Sequence, residues 1–403
     1  MRILFLNAEG FLGGAERCLI DLVASFRASN REIEIGVIAG AEGPLLVEAE
    51  RLGARVRCVK LPPALASLGD SGVRSRSASR GTMAKNLGSG AAALAQYVAR
   101  LRKEIALFSP DIVQSNGMKM HLLGALARPR NARLVWYLHD FVGERRIASR
   151  ALRALSRRAH LAVTNSAAVR DDFARVVRSL PVRVVLNAID TNDFTPDGEC
   201  APLETIAGVP AEPGTLRVGL VATFARWKGQ DIFLEAARVV RDRAGSRRIR
   251  FFIVGGAMYR SAESQFSEGE LRGKAAALGI ADSVGFVPFQ NDPAAVFRAL
   301  DIVVHASSRP EPFGRTIVEA MACGRAVIAV AEGGAREIIV DGQNALAFRR
   351  GDADGLATAI LRLAEDPPLR DRLGSEGRRD AVTRFSRERL AEDMLRAYLA
   401  MGD

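Results

Sequence analysis

Short apolar runs alternate along the chain with longer stretches whose apolar residues recur every three or four positions. The first period suits strands buried on both faces and the second amphipathic helices, so the alternation predicts α/β layers on parallel sheets. A first series of strands is expected at 2–7, 33–39, 55–60, 111–115, 134–138, 161–165 and 182–186. Between them, helices are expected from Gly13-Gly14-Ala15-Glu16 to about Phe26, at 45–52, at 91–108 and at 145–159. A second series falls at 216–222, 251–254, 283–286, 302–305 and 326–330. No sequence repeat of fixed period accompanies this repetition of layout.

Two segments break the rhythm. Residues 61–89 are rich in Ser, Gly and Arg and read as an exposed basic loop, because the alternation resumes after them. Residues 195–214 are rich in Pro, Gly and acids and read as a linker. The expected organisation is therefore a first domain over 1–194, a second over 215–380, and a terminal stretch, 381–403, whose amphipathic helix returns to the first domain.

A length of 403 residues suits two or three domains, and 48% apolar with 26% charged residues excludes wholesale disorder. No apolar run approaches the roughly 18 residues a membrane helix needs. The start, MRILFLNAEG, is not expected to be a secretory leader. Cys18, Cys58, Cys200 and Cys323 are too scattered for a structural zinc site and fit a reducing, cytoplasmic setting. The net charge is +11, and its distribution matters more than its size. Residues 1–194 carry +12 and the remainder −1. Between Arg51 and Lys103 stand 11 basic residues and a single acid, Asp70; Arg145, Arg146, Arg150, Arg153, Arg157 and Arg158 follow. Such an excess fits nucleic acid, an anionic membrane or an acidic substrate. Only 6% aromatics and no nucleic-acid motif argue against the first.

The densest chemistry lies in EPFGRTIVEAMACGRAVIA, residues 311–329. A strand ends near His305, a Pro-rich loop follows, and Phe313-Gly314 lead into a helix whose N-terminus is an anion site. Glu311 lies just outside it and Glu319 inside, so these carboxylates suit sugar hydroxyls better than phosphate. Arg226-Trp227-Lys228-Gly229, after the strand at 216–222, offer a planar fork and a point charge to a diphosphate. Gly13-Gly14 permit close approach of a ligand to the first strand–helix turn, although two glycines alone also make a simple tight turn. His139 ends the strand at 134–138, the usual ligand end of an open α/β sheet. No P-loop run and no metal-ligand spacing occur.

Together these stretches resemble the retaining nucleotide-sugar glycosyltransferases of the GT-B class, family 4. EPFGRTIVEAMACGRAVIA is the most specific element, its Glu311 and Glu319 matching the family's paired glutamates. Trp227-Lys228-Gly229-Gln230, Glu332-Gly333-Gly334-Ala335-Arg336-Glu337 with Asp341-Gly342, Gly13-Gly14-Ala15-Glu16-Arg17 and Val185-Leu186-Asn187-Ala188-Ile189-Asp190 match further family patterns.

The resemblance implies two facing Rossmann-like domains with parallel sheets and an inter-domain cleft, the nucleotide held by the second domain and the acceptor by the first. It implies that Glu319 binds ribose hydroxyls, that Glu311 and His139 meet the transferred sugar, and that Lys228 with Phe313, Gly314 and Arg315 holds the diphosphate. Gly13 and Gly14 would close on donor phosphate or acceptor. Gly255, Val287 and Pro288 would line the nucleotide pocket. The family's phosphate-binding Arg falls at Thr223 here, and Arg226 is the candidate replacement.

The implied activity is retaining, metal-independent hexosyl transfer from a UDP- or GDP-linked sugar, with no cofactor, to a glycan or glycolipid in bacterial envelope polysaccharide biosynthesis. The charge excess predicts peripheral contact with an anionic inner membrane face, without nucleic acid. A sugar-nucleotide epimerase or phosphorylase-like enzyme, and an anion- or nucleic-acid-binding protein, are the alternatives.

Overall fold

Both strand series assemble into all-parallel sheets. The computed structural model describes residues 1–29, 32–66, 80–257 and 264–402. The chain divides into two compact units, the first comprising Met1–Ala188 with Arg387–Asp403 and the second Ile189–Ser386.

Unit 1 is built on β1 (Arg2–Asn7), β2 (Glu34–Ala39), β3 (Arg55–Cys58), β4 (Ile112–Asn116), β5 (Arg133–Leu138), β6 (Leu161–Thr164) and β7 (Val182–Val184). Their order is β3-β2-β1-β4-β5-β6-β7. The chain reverses direction across the sheet between β1 and β4, so the loops leaving their carboxyl ends flank the crevice where ligands bind in such sheets. The interior residues of these strands are buried on both faces, which is why they read as continuous apolar runs.

The terminal helix, Leu390–Leu399, belongs to unit 1. Leu390, Met394 and Tyr398 join the core that contains Leu19, Leu22 and Phe26. Ser25 fastens it, its Oγ donating to the Arg387 carbonyl at 2.7 Å and accepting from the Ala391 amide at 2.8 Å.

Unit 2 carries β8 (Leu216–Val221), β9 (Ile249–Val254), β10 (Val284–Val287), β11 (Ile302–His305), β12 (Ala326–Val330) and β13 (Leu346–Phe348), in the order β10-β9-β8-β11-β12-β13. Its reversal lies between β8 and β11.

Three features depart from expectation. β13 has only three residues, too few to show a period. Residues 80–89, assigned to a basic loop with 61–79, instead begin the helix Arg80–Phe108, and Pro63–Ala66 form a short helix; 67–79 lie outside the described residues. The segment read as a linker holds the helix Leu203–Ala207. Leu203 there is fully buried, and the Glu204 carboxylate accepts from Arg217 Nε at 2.6 Å.

Candidate active site

In unit 2 the loops after β8 and β11 interlock through glycine. Gly229 adopts φ +78°, and a Cβ there would stand 1.9 Å from the Ala306 carbonyl oxygen, so no side chain fits. This approach brings Lys228 to Glu311: Nζ donates to Oε1 at 3.1 Å and to Oε2 at 2.9 Å. His305 Nε2 lies 3.2 Å from Glu311 Oε2, and Ser307 Oγ donates to the same oxygen at 3.0 Å.

The Lys228 and Glu311 side chains are only 22% and 14% exposed. Burial alone would raise the Glu311 pKa, but Lys228 and the His305 hydrogen bond outweigh it and hold the carboxyl well below its ordinary range. Its backbone is also gripped, because the Gly334 amide donates to the Glu311 carbonyl at 2.7 Å. A Cβ on Gly333 would lie 2.3 Å from that same carbonyl oxygen and one on Gly334 2.2 Å from the Pro312 carbonyl oxygen, which explains the two glycines after Glu332.

Gly314 (φ +104°) caps the helix Arg315–Ala322, whose N-terminus carries no side-chain cap and presents the positive end of the helix dipole. Phe313 is buried edge-on against Phe385, with ring centroids 5.8 Å apart. Inside the helix, Arg315 Nε donates to Glu319 Oε1 at 2.6 Å, so this buried glutamate is held by a guanidinium one turn away.

The remaining expected residues on this side are arranged differently. Arg226 does not join Lys228; it donates to Glu270 at 2.8 Å and its guanidinium lies 4.3 Å from the Phe266 ring centre. The Ser267 amide, then Arg226, draw the Glu270 pKa down to about 2. Thr223 offers its carbonyl to Gln230 Nε2 at 2.8 Å. Gly255 (φ +146°) passes so close to Ala222 that a Cβ would stand 1.9 Å from its carbonyl oxygen, and its amide donates to Val287 O at 3.0 Å. Val287 is itself buried, Pro288 accepts from Gln290 Nε2 at 2.9 Å, and Phe289 is 49% exposed.

In unit 1, Gly13 caps the helix Gly14–Ala28, and a Cβ there would lie 2.8 Å from Glu16 Oε2, while Gly14 has open space. Glu16 is buried and receives Asn7 Nδ2 at 3.1 Å; burial raises its pKa. His139 follows β5 with its ring 4.1 Å from that of Tyr137 and with neither ring nitrogen hydrogen-bonded. Burial lowers its pKa to about 4, so the ring is neutral at pH 7. His121, also lowered by burial, to about 3, instead has a partner in Ser115 Oγ at 2.8 Å.

Sequence reasoning left His305 as a strand-end histidine without a role and did not single out Ser307. Their position at the exit of β11, six and four residues before Glu311, is the sequence signal by which they could have been found. Among the described residues no group of three or more His, Cys, Asp or Glu side chains is placed to hold a metal ion, and no helix is long and apolar enough to cross a membrane.

Residues 12–193 match the model for Glycosyltransferase Family 4, and residues 206–380 that for Glycosyl transferases group 1. A D-inositol 3-phosphate glycosyltransferase of Stackebrandtia nassauensis is 33% identical over 242 residues, covering 59% of this chain and 53% of its own. A lipopolysaccharide core biosynthesis glycosyltransferase, LpsE of Rhizobium meliloti, is 36% identical over 124 residues, 31% of this chain and 35% of its own. The chain thus spans about half the length, or less, of these curated relatives.

Anabaena HepE, solved with UDP and glucose, superposes with a TM-score of 0.78 at 27% identity over 99% of both chains. A sucrose-phosphate synthase of Thermosynechococcus elongatus gives 0.76 at 19% identity, over 100% of this chain and 99% of its own, which speaks for the fold alone. Two parallel Rossmann-like sheets and the two family matches make this chain a member of the family 4, group 1 glycosyltransferases of GT-B fold.

Proposed function

We propose that the chain transfers a hexose from a UDP-linked donor to a hydroxyl of a glycan or glycolipid acceptor, with retention of configuration and without a metal or other cofactor. The observation that carries this reading is the Lys228–Glu311 pair with His305 and Ser307 at the carboxyl end of unit 2's sheet, beside an uncapped helix N-terminus. Similarity to a protein solved with UDP and glucose favours uridine over guanosine in the donor.

Cleaving the anomeric C–O bond leaves an oxocarbenium-like sugar and loads negative charge on the departing diphosphate. Lys228 and the N–H groups at Phe313, Gly314 and Arg315 meet that charge, fixed before it develops. Glu311, kept ionised, accepts from a sugar hydroxyl and balances Lys228 when no diphosphate is bound. Glu319 serves the ribose hydroxyls, and Gly255, Val287 and Pro288 shape the floor beneath the nucleotide, with exposed Phe289 as a surface for the base. Arg226 is the second cation, its guanidinium braced by Glu270 and Phe266. Gly13, Gly14 and His139 belong to the acceptor-binding unit, where the backbone turn admits the substrate and the neutral imidazole reads a hydroxyl.

The acceptor belongs to bacterial envelope glycan synthesis, and the protein meets an anionic membrane surface through the helix Arg146–Leu155. There Ile147 is 85% exposed beside exposed Arg146, Arg150 and Arg153. Liposome co-sedimentation checks this part: binding should rise with anionic lipid, and equal binding to neutral vesicles refutes it. A thermal-shift panel of UDP, GDP, ADP and CMP checks the donor. UDP should stabilise most, and stabilisation by none of the four overturns the transferase reading.

A further inference from the structure

The strand register of unit 1 lines up uncharged polar residues on one sheet face at its carboxyl end. Asn116 stands opposite Tyr137 and Tyr137 opposite Val163; His139 and Asn165, two residues beyond Tyr137 and Val163, stand on the same face one level further towards the carboxyl end. One level below Asn116, Gln114 stands between Phe5 and Val135, which with Val163 belong to the core.

The row is short of hydrogen bonds. Among the described residues, fourteen buried side-chain polar atoms lack a partner, and six belong here: Gln114 Nε2, both amide atoms of Asn116, both ring nitrogens of His139, and Asn165 Oδ1. Asn116 is 1% exposed and Asn165 2%. Because both Asn116 amide atoms are orphaned, exchanging its oxygen and nitrogen changes nothing. An orphaned buried group costs about 1–3 kcal/mol, so this much deficit in one place marks groups kept for something outside the protein's own bonding.

Their chemistry says what. Amide N–H groups donate, amide oxygens accept, and a neutral imidazole does one of each. A hydroxyl does both, so a ring with neighbouring hydroxyls matches the set, whereas a phosphate would leave the acceptors facing like charge. Ionic groups at this end of the sheet are paired, Lys119 with Glu9 at 3.5 Å and Arg145 with Asp140. The row is itself braced: Tyr398 donates to Gln114 Oε1 at 2.5 Å, Tyr137 to Asn187 Oδ1 at 3.1 Å, and Asn165 Nδ2 to the His139 carbonyl at 3.4 Å.

We propose that Asn116, His139 and Asn165 form a hydroxyl-reading subsite on unit 1 for a neutral polyol ring, a sugar or cyclitol, with Asn116 as the residue that selects it. Its place in acceptor recognition rests on the transferase reading above; the binding itself does not.

The test is Asn116→Leu in the full chain, which keeps the number and branching of the side chain's heavy atoms and removes its polar ones. Saturation-transfer NMR with D-glucose and myo-inositol probes the subsite, and UDP probes unit 2 separately. Wild type should respond to at least one polyol, and the variant should bind it about tenfold or more weakly, the effect of losing one good hydrogen bond or more. UDP affinity should stay within about twofold, well under one hydrogen bond's worth. The unliganded variant should melt at the same temperature or higher, because an apolar group removes an unsatisfied amide. A purely structural asparagine would give the reverse, a lower melting temperature with polyol binding kept, and that result overturns the proposal.

Silence of wild type towards both polyols also overturns it, as does undiminished binding in the variant, which would mean the row holds only buried water. Should Asn116→Leu not fold, Asn165→Ala carries the same expectation of weakened polyol binding. Polyol binding without any UDP binding would sustain the subsite and sink the UDP-sugar transferase reading instead.

Discussion

Replacing Lys228 with Ala tests the centre of the proposed site through both stability and ligand binding. The lysine supplies two of the four side-chain contacts to Glu311, at 3.1 and 2.9 Å, and His305 and Ser307 supply the others at 3.2 and 3.0 Å. Removing one partner of a buried ion pair costs about 3–5 kcal/mol. Two donors remain on Glu311, so the low end, about 3 kcal/mol at pH 7, is the expectation.

The loss should depend on pH with a definite sign. In the native chain Lys228 helps keep the Glu311 pKa low, so its stabilising effect is present above the ordinary carboxylate range and fades only as pH falls through the depressed value. Without the lysine, burial works with less opposition and the pKa rises. The gap between variant and native protein is then widest near neutrality and narrows as pH falls through the variant's raised carboxyl pKa, where its Glu311 takes up a proton. Lys228→Met with Glu311→Gln removes both charges and should recover most of the loss.

Urea unfolding reads this conveniently, because Trp136 lies in unit 1 and Trp227, the neighbour of Lys228, in unit 2. Calorimetric UDP titration supplies the second readout. A lost charge-assisted bond to diphosphate is worth about 1.5–3 kcal/mol, a weakening of roughly ten- to a hundredfold. Unfolding within about 0.5 kcal/mol of wild type together with unchanged UDP affinity would refute the reasoning, since that is the scatter of ordinary surface substitutions.

Arg226→Ala should weaken UDP binding less than Lys228→Ala, because its guanidinium is already committed to Glu270 and Phe266; unchanged activity and donor affinity would remove Arg226 from the diphosphate site. Acid should destabilise unit 1 earlier than unit 2. His139 and His121 stay neutral in the native state down to about 4 and 3, whereas unfolded imidazoles take protons below about 6.5. Stability is therefore full above that pH and lost as pH falls from it towards 4, by about 3 kcal/mol for His139 alone. His139→Gln should accordingly move the acid midpoint of unit 1 downward, and an unmoved midpoint contradicts this. Gly229→Ala places a Cβ 1.9 Å from the Ala306 oxygen at φ +78° and should cost more than 2 kcal/mol in unit 2, about the strain of a forced left-handed residue plus a displaced loop; circular-dichroism melts decide it.

The strands were legible because parallel sheets covered on both faces need unbroken apolar runs, and β1, β5 and β12 supply them. The start of the helix Arg80–Phe108 was not, because Gly81, Gly88 and Gly90 and a scatter of polar residues mimic a loop when only local propensity is weighed. Residue types at the site were legible too: an anion-seeking lysine, a glycine-led helix and a pair of glutamates. Their bonding was not. Lys228 and Glu311 are 83 positions apart, and only the fit of Gly229 under Ala306 makes them partners.

Asn116 and Asn165 mark the limit of sequence reading most sharply. Each stands at a strand end, where asparagine is a common turn residue and attracts no notice. Strand register makes them a row, and the missing partners make the row a candidate for binding. The charge that dominates the sequence is directed elsewhere. Residues 1–194 carry +12, yet Asn116, His139 and Asn165 are neutral at pH 7, and exposed arginines gather on the helix Arg146–Leu155. Attraction to an anionic surface and discrimination among hydroxyls are different electrostatic tasks. A strong positive field at the reading groups would favour any anion over the correct polyol, so the two proposed tasks are compatible in one unit only if the exposed arginines stay away from that row.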